Sequence, residues 1–595
     1  MDFRLSSLLK LPYELSFEVP RRLRAIVRAR ETSLVVLATL VGLAAGLVVV
    51  AMAMGVDLLH TVLFGTFPGE HLSARMSLDP PYTFLVPMLG GVVLGLATLV
   101  VLRWRSAQEV DPIEANALHG GRMSLLGSLW IAIQTVWSSG VGASVGLEAG
   151  YTQLASGIAS RIGRAFRLRR GDLRILVGCG AAAGIAGAFG APLAGAFYGF
   201  EIVIGTYSVV SLAPVAMSAL VGYLVAKMLS PAPIGIVTSG VPALAGHDLV
   251  VAGVLGVAAA MFGITLMRAV AACEALFGRG KVQPWLRLAL GGLVVGLLAM
   301  ISPQVMSSGH GALQLAGMAE RPLADVAMVF VLKTIASAVS LGSGFRGGLF
   351  FASLLLGALG GRLFAAGVTA SFPGLVLDPN VYAIIGMGAL SVSVIGGPLT
   401  MTFIVMETTA DLWLTTAVLI AVIISAQVTR EMFGYSFATW RFHLRGETIR
   451  SAADVGWIRD LTAGRMMRHD VRTISADVSL PQFREAFPLG SANEVVAVDG
   501  DDRYAGLVVV AEAHAPELPQ KASIRDLLRH SKDVLLPSTT IKEAVAAFDL
   551  TEAEALAVVD SPVKRQVVGL LTEAHALRRY SEALELRRRD VFGEE

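Results

Sequence analysis

The sequence predicts a helical membrane domain built from two related halves, followed by a small soluble α/β domain. Three observations carry this. Hydrophobic residues make up 54% of the 595-residue chain and charged residues only 16%, where a soluble protein of this length carries about 25% charged. Apolar segments recur from residue 34 to about residue 433, and the composition turns charged near residue 446. Each of these two regions holds an internal repeat of its own.

The membrane part comes first. Residues 1–32 carry Arg21, Arg22, Arg24, Arg28 and Arg30, and an uncharged run from Leu34 to Met54 follows. That run is long enough to cross a bilayer, which takes about 20 residues. It is read as a membrane span and not as a cleavable signal, and the arginine cluster places the N-terminal segment in the cytoplasm. Further clear apolar segments are 82–102, 209–228, 248–272, 286–301, 326–341 and 413–429. Others, at 174–190, 192–204, 382–395 and 398–406, are short or cut by Gly and Pro. Helices that stop inside a membrane must leave their freed backbone buried in protein or lining a cavity. The basic stretch Arg161–Arg170 is expected on the cytoplasmic side.

Two pairs of segments recur in register. Gly190-Ala-Pro-Leu-Ala-Gly195 leads to Glu201, and Gly396-Gly-Pro-Leu-Thr-Met401 leads to Glu407, with nine residues from proline to glutamate in both. Upstream lie Gly180-Ala-Ala-Ala-Gly184 and Gly386-Met-Gly-Ala-Leu390. The membrane domain, 33–446, thus divides into halves of about 33–245 and 246–446. Matching halves with broken helices point to a binding site near the bilayer midplane.

The soluble part consists of a linker at 447–458, one unit at 459–516, a second at 517–582 and a charged tail at 583–595. Its repeat has a shift of 61. Val496-Ala-Val-Asp499 matches Ala557-Val-Val-Asp560, and Ala511-Glu-Ala-His-Ala515 matches Thr572-Glu-Ala-His-Ala576. Each unit reads as short strands with amphipathic helices.

Two glycine-rich segments could carry chemistry. In Ser138–Gly150, Glu148 is the one charge in a stretch that precedes an apolar run. Free amides at a helix start attract anions, and an ionisable group inside a membrane is a functional candidate by default; an interfacial loop carboxylate is the plain alternative. Gly342–Ala352 also opens an apolar run and is its natural partner, or else a turn between helices. Net charge is +2, so no field argues for nucleic acid. Cys179 and Cys273 lie in apolar runs with no metal-ligand spacing. There is no His-Glu-x-x-His and no Gly-x-Ser-x-Gly, and no histidine falls in the glycine-rich segments, which argues against an intramembrane enzyme.

These motifs resemble those of the CLC family of chloride channels and proton-coupled chloride exchangers. Gly146-Leu147-Glu148-Ala149-Gly150 is similar to the family's Gly-x-Glu-Gly-Pro segment with its gating glutamate, and Gly348-Leu349-Phe350-Phe351-Ala352 to its Gly-x-Phe-x-Pro segment. Gly180–Glu201 and Gly386–Glu407 look like the corresponding helices of the two halves. The C-terminal pair resembles CBS domains. The resemblance covers most of residues 80–580. It implies an inverted repeat of broken helices, a homodimer with one anion pathway per subunit in the inner cell membrane, and transport of small inorganic anions, chloride first; the Arg21–Arg30 cluster and a charged C-terminal domain with no reason to cross place both termini in the cytoplasm. It implies Glu148 as gate and proton carrier, with the anion held by Gly146, Leu147, Glu148, Ala149, Leu349 and Phe350. An anion/proton antiporter is the expected mechanism. A passive channel, or another anion such as bicarbonate or nitrate, is the alternative.

The sequence also departs from the family pattern. Where the family has Gly-Ser-Gly-Ile-Pro, this chain has Gln108-Glu109-Val110-Asp111-Pro112, so Glu109 stands near the central serine. The family's central tyrosine falls near Ala438, with Tyr435 three residues earlier. The inner proton glutamate is replaced by Ile202. Glu201 beside it points to another helix face and reads first as a structural carboxylate. CBS modules that hold adenosine use a Thr or Ser and an Asp three residues later. This chain has Ala511 with His514 and Thr572 with His575, so no cofactor is expected and a nucleotide at the pair stays an open alternative to plain dimer packing.

Overall fold

The computed structural model describes residues 31–67, 69–104, 109–230, 244, 246–279, 283–314, 322–437, 439–440, 462–516, 518–519 and 523–579. The Arg21–Arg30 cluster, Ala438, the 447–458 linker and the 583–595 tail lie outside the described residues. The chain divides into two compact units, Met1–Asp454 and Val455–Glu595.

Among the described residues the regular structure of the first unit is helical. Its helices are α1 (Glu31–Phe64), α2 (Pro80–Trp104), α3 (Pro112–Leu118), α4 (Leu125–Gly140), α5 (Glu148–Ala165), α6 (Arg170–Phe189), α7 (Pro192–Tyr198) and α8 (Val209–Leu229). There follow α9 (Gly246–Arg279), α10 (Pro284–Ile301), α11 (His310–Gln314), α12 (Leu323–Ser343), α13 (Phe350–Ser371), α14 (Pro379–Ile395), α15 (Pro398–Thr409) and α16 (Leu412–Met432). Among the described residues nine helices are long and apolar enough to cross a membrane.

Besides the short α3 and α11, three helices, α4, α5 and α13, are absent from the apolar segments read off the sequence. For α5 the reason is burial in protein. Ser156 and Ser160 of α5 are buried, donating to Val177 O at 3.0 Å and Gly121 O at 2.7 Å. A helix shielded from lipid by its neighbours needs no apolar surface, so hydropathy misses it. Close approach of backbones sets other packings. A side chain at Gly91 or Gly95 of α2 would strike Leu288 or Trp285 of α10, and one at Gly292 or Gly296 would strike Pro87 or Phe84 of α2. Small residues four apart on both helices let them meet without lipid between them.

The proline-to-glutamate repeat has a structural purpose. Helices α7 and α15 each open on a proline, whose fixed backbone suits a first turn. Their next free amides need acceptors. Glu407, near the end of α15, accepts from Leu193 N at 2.8 Å and Ala194 N at 2.9 Å. Glu201 lies in a π-turn, Gly199–Ile204, that continues α7. It accepts from Leu399 N and Thr400 N, both at 2.9 Å, and from the Thr400 hydroxyl at 2.7 Å. Each half therefore caps the broken helix of the other.

The second unit holds two three-stranded sheets of one topology: β1 (Thr473–Ser475), β2 (Glu494–Val498), β3 (Tyr504–Val509), then β4 (Val534–Leu535), β5 (Ala555–Val559), β6 (Val567–Thr572). In each, the first strand is parallel to the second and the third antiparallel to it. The helices Leu480–Ala486 and Ile541–Thr551 start on matching capping boxes, Ser479 with Gln482 and Thr540 with Glu543. Val496 and Leu507 share a core with Ala557 and Val559.

Strand register corrects one detail of the repeat. Glu494 pairs with Val509, and Ala555 with Thr572. The second hairpin loop is two residues longer, so Thr572 corresponds to Val509 and His575 to Glu512, and not to Ala511 and His514. His514 Nε2 is instead hydrogen-bonded to Phe487 O at 2.9 Å; His575 Nδ1 faces Arg578 at 3.3 Å.

In this unit Glu494 is pushed up to about 7, first by burial and then by the neighbouring Glu554 carboxylate, with Arg529 opposing. A raised carboxylate favours folding while protonated, so the unit loses stability as pH rises from the ordinary carboxylate range through about 7. Glu494→Gln is expected to slow hydrogen exchange of the β2 and β5 amides in the full-length protein near pH 8. Near pH 4, corrected for intrinsic exchange, wild type and variant are expected to match.

Candidate functional site

The two glycine-rich segments meet. Gly146 N donates to Gly348 O at 3.0 Å and Gly348 N to Gly146 O at 3.1 Å. Helices α5 and α13 open two residues later, at Glu148 and Phe350. Two helix starts therefore converge on one spot inside the membrane unit, and both present the positive end of a helix dipole there.

Glu148 occupies that spot. Its side chain is buried, at 5% exposure. Its Oε1 accepts from the amides of Phe350 at 2.5 Å and Phe351 at 3.2 Å, both in the first turn of α13. A Cβ on Gly146 would fall on the Glu148 carboxylate, and one on Gly348 would lie 2.9 Å from its Cγ and Oε1. Both positions are glycine because the carboxylate lies against their backbone. The rings of Phe350 and Phe351 pack on Phe189, with centroids 4.4 and 4.2 Å away.

A cavity of about 180 Å³ reaches this carboxylate. Glu148, Ala149, Leu349 and Phe350 line it. Gly146 and Leu147, expected as anion ligands, do not: the Gly146 amide is taken by Gly348, and Leu147 is packed in the core. Glu109 and Ile202 both stand on the cavity wall. Tyr435 does not; its ring packs near Phe433 and Trp440. Phe437 supplies the aromatic wall there, one residue before Ala438, which lies outside the described residues. Glu201 is committed to the α15 cap and is not on the wall.

Sequence reasoning missed Tyr198, Arg346 and Phe437 on the wall and the buried Lys333 of α12. Lys333 is fully buried, and its Nζ donates to Val305 O at 3.0 Å and Ser307 O at 2.8 Å. A signal was present, for it is the only charged residue between Asp325 and Arg346, and an intramembrane charge is a site pointer in itself. Among the described residues no group of three or more His, Cys, Asp or Glu side chains could hold a metal ion.

With this geometry in hand, likeness to known proteins becomes informative. The voltage gated chloride channel family matches residues 90–430. A ClcB-like chloride channel protein of Ralstonia nicotianae is 34% identical over 381 residues, 63% of this chain and 88% of its own length. Among solved structures, a slow cyanobacterial Cl−/H+ antiporter aligns with TM-score 0.59 at 20% identity, covering 69% of this chain and 97% of its own. A eukaryotic CLC transporter aligns with TM-score 0.58 at 19% identity, covering 93% and 98%, a span that takes in the C-terminal unit, whose two like sheets are the paired arrangement the CBS resemblance implies. The match over more than half of the chain makes it a member of the voltage gated chloride channel (CLC) family, a multi-pass membrane protein for anion transport and not an enzyme.

Proposed function

We propose that this protein exchanges chloride, or an anion of like size and charge, for protons, with Glu148 as both gate and proton carrier. The observation that supports this is the Glu148 carboxylate seated on the Phe350 and Phe351 amides at the cavity's end. An anion seeking those donors competes with the carboxylate for them. Deprotonated, Glu148 holds the seat and closes the path. Protonated, it gives up charge-assisted hydrogen bonds, which are about twice as strong as neutral ones, and can leave. The Cl−/H+ antiporter among the aligned structures is consistent with this coupling.

The test is flux into proteoliposomes with chloride and pH recorded together. Chloride entry that drives protons against their gradient supports exchange. The second reading is a passive channel, favoured by Ile202, whose side chain cannot hand on a proton. A reversal potential that ignores the pH gradient would establish the channel. The wall also lacks the family's serine hydroxyl, since Glu109 stands near that place, so bicarbonate and nitrate belong in the same assay. The protein is further read as a homodimer in the inner cell membrane with one pathway per subunit and both termini cytoplasmic. The basic Arg161–Arg170 loop at the end of α5 supports that orientation.

Gly146 offers a graded check. Gly146→Ala puts a methyl where the carboxylate rests, and a flexible side chain is what yields. Its backbone has no left-handed angle to strain. Anion flux at alkaline pH is expected to rise severalfold toward that of a Glu148→Ala variant. Flux unchanged from wild type would mean that the seat observed here is not the blocking one.

A further inference from the structure

We propose that Glu109 is the inner proton-relay residue, carrying protons between the cytoplasmic mouth of the cavity and Glu148. The inference rests on the exchanger reading above. Among the described residues, the titratable and charged ones on the cavity wall are Glu109, Asp111, Glu148, Tyr198 and Arg346. Glu148 is the seat's occupant. Asp111 is spent on a helix cap, its Oδ1 accepting from Ile113 N at 2.8 Å at the start of α3. Arg346 holds its proton throughout and Tyr198 carries a phenol, so neither is a carboxyl that cycles. Glu109 is the other carboxyl on the wall, and an ionisable group on the wall of a membrane cavity is a functional candidate by default.

Its position suits an inner relay. Gln153 of α5 donates to Val110 O at 2.9 Å, which fixes the chain beside Glu109 to the level of Gln153. Gln153 is five residues beyond Glu148, or about 7.5 Å along the helix axis. That displacement runs toward the basic Arg161–Arg170 loop, the cytoplasmic side. Glu109 therefore sits inward of the gate, in the same cavity. The stem of Glu109 lies over Gly127, where an added Cβ would meet its Cγ at 3.3 Å. This holds it beside the first turn of α4, capped by Ser124, where a carboxylate is welcome. Ile202 shares the wall and offers no proton. Glu109 and Glu148 line one cavity, and water in it can carry the proton between them.

The step balances as simple proton transfer. A hydronium ion at the inner mouth gives its proton to the Glu109 carboxylate and becomes water. The resulting carboxylic acid releases that proton along the cavity water to the Glu148 carboxylate, and Glu109 regains its charge. The anion gradient drives the cycle, and no other reactant enters.

The test compares full-length wild type, Glu109→Gln and Glu109→Asp in proteoliposomes under a chloride gradient, with chloride and pH read together. In Glu109→Gln the number of protons moved per chloride is expected to fall at least about tenfold, because general acid–base groups contribute at least that much to proton transfer. Glu109→Asp is expected to restore most of the ratio. An unchanged ratio in Glu109→Gln overturns the proposal while leaving exchange intact. Equal loss of both fluxes, unrelieved in Glu109→Asp, overturns it in favour of a structural role. A wild type that moves chloride without protons overturns both this proposal and the exchanger reading.

Discussion

Replacing Glu148 with Gln or Ala is expected to abolish proton movement while anion flux continues and loses its dependence on pH. The argument is one of competition for donors. Oε1 of Glu148 takes the amides of Phe350 and Phe351 at the first turn of α13. Those are the donors that an anion reaching the end of the cavity would use. Alanine vacates the seat for good, so the anion has it at every pH. Glutamine keeps the shape and cannot become an anion, so the amides hold it less strongly than a carboxylate. Neither variant can carry a proton. The loss of proton flux should therefore be about a hundredfold or more, to the background of the bilayer. Chloride entry recorded at acid and alkaline pH in the same vesicles checks both halves of the expectation. If Glu148→Ala kept pH-dependent, proton-coupled flux, the gate would lie elsewhere, and Glu109 on the same wall would be the next residue to test.

What the sequence made legible follows from how the forces act along it. The proline-to-glutamate repeat was visible because both halves solve one problem, the orphan amides of a broken helix, with the same spacing. Glu148 stood out because a lone carboxyl in an apolar stretch is rare in a membrane. Helices α4 and α5 were harder to see, because their polar side chains face protein, and hydropathy measures only contact with lipid. Lys333 was overlooked for a related reason: a single charge barely lowers the average of an apolar span, yet its two carbonyl partners come from a loop some 26 and 28 residues away. The place of Phe437 on the wall depends on how the chain leaves α16, which no spacing rule supplies. In the second unit the like sequences Ala511–Ala515 and Thr572–Ala576 suggested a register that the strands do not keep. Core burial of Ala513 and Ala576 follows the hairpin with the longer loop instead.

Glu201 yields the second large effect, on stability and not on coupling. Glu201→Ala removes the acceptor of two backbone amides and one hydroxyl at the start of α15. Each buried donor left without a partner costs about 1–3 kcal/mol, and membrane surroundings offer little water to replace the lost bonds. The sum is roughly 3 kcal/mol or more, enough to lower the midpoint of thermal unfolding in detergent by several degrees. Glu201→Gln keeps one acceptor oxygen and should fall between. Glu407→Ala, which strips the mirror-image cap of two amides and no hydroxyl, is expected to cost somewhat less. Protein that survives each substitution should still move protons with chloride at the wild-type ratio, because Glu201 reaches across to α15 and does not stand on the cavity wall. That pattern is the reverse of the one expected for Glu109→Gln. A Glu201→Gln protein of normal thermal stability that had lost its protons would move the inner relay to Glu201, and the cap at α15 would then be incidental to it.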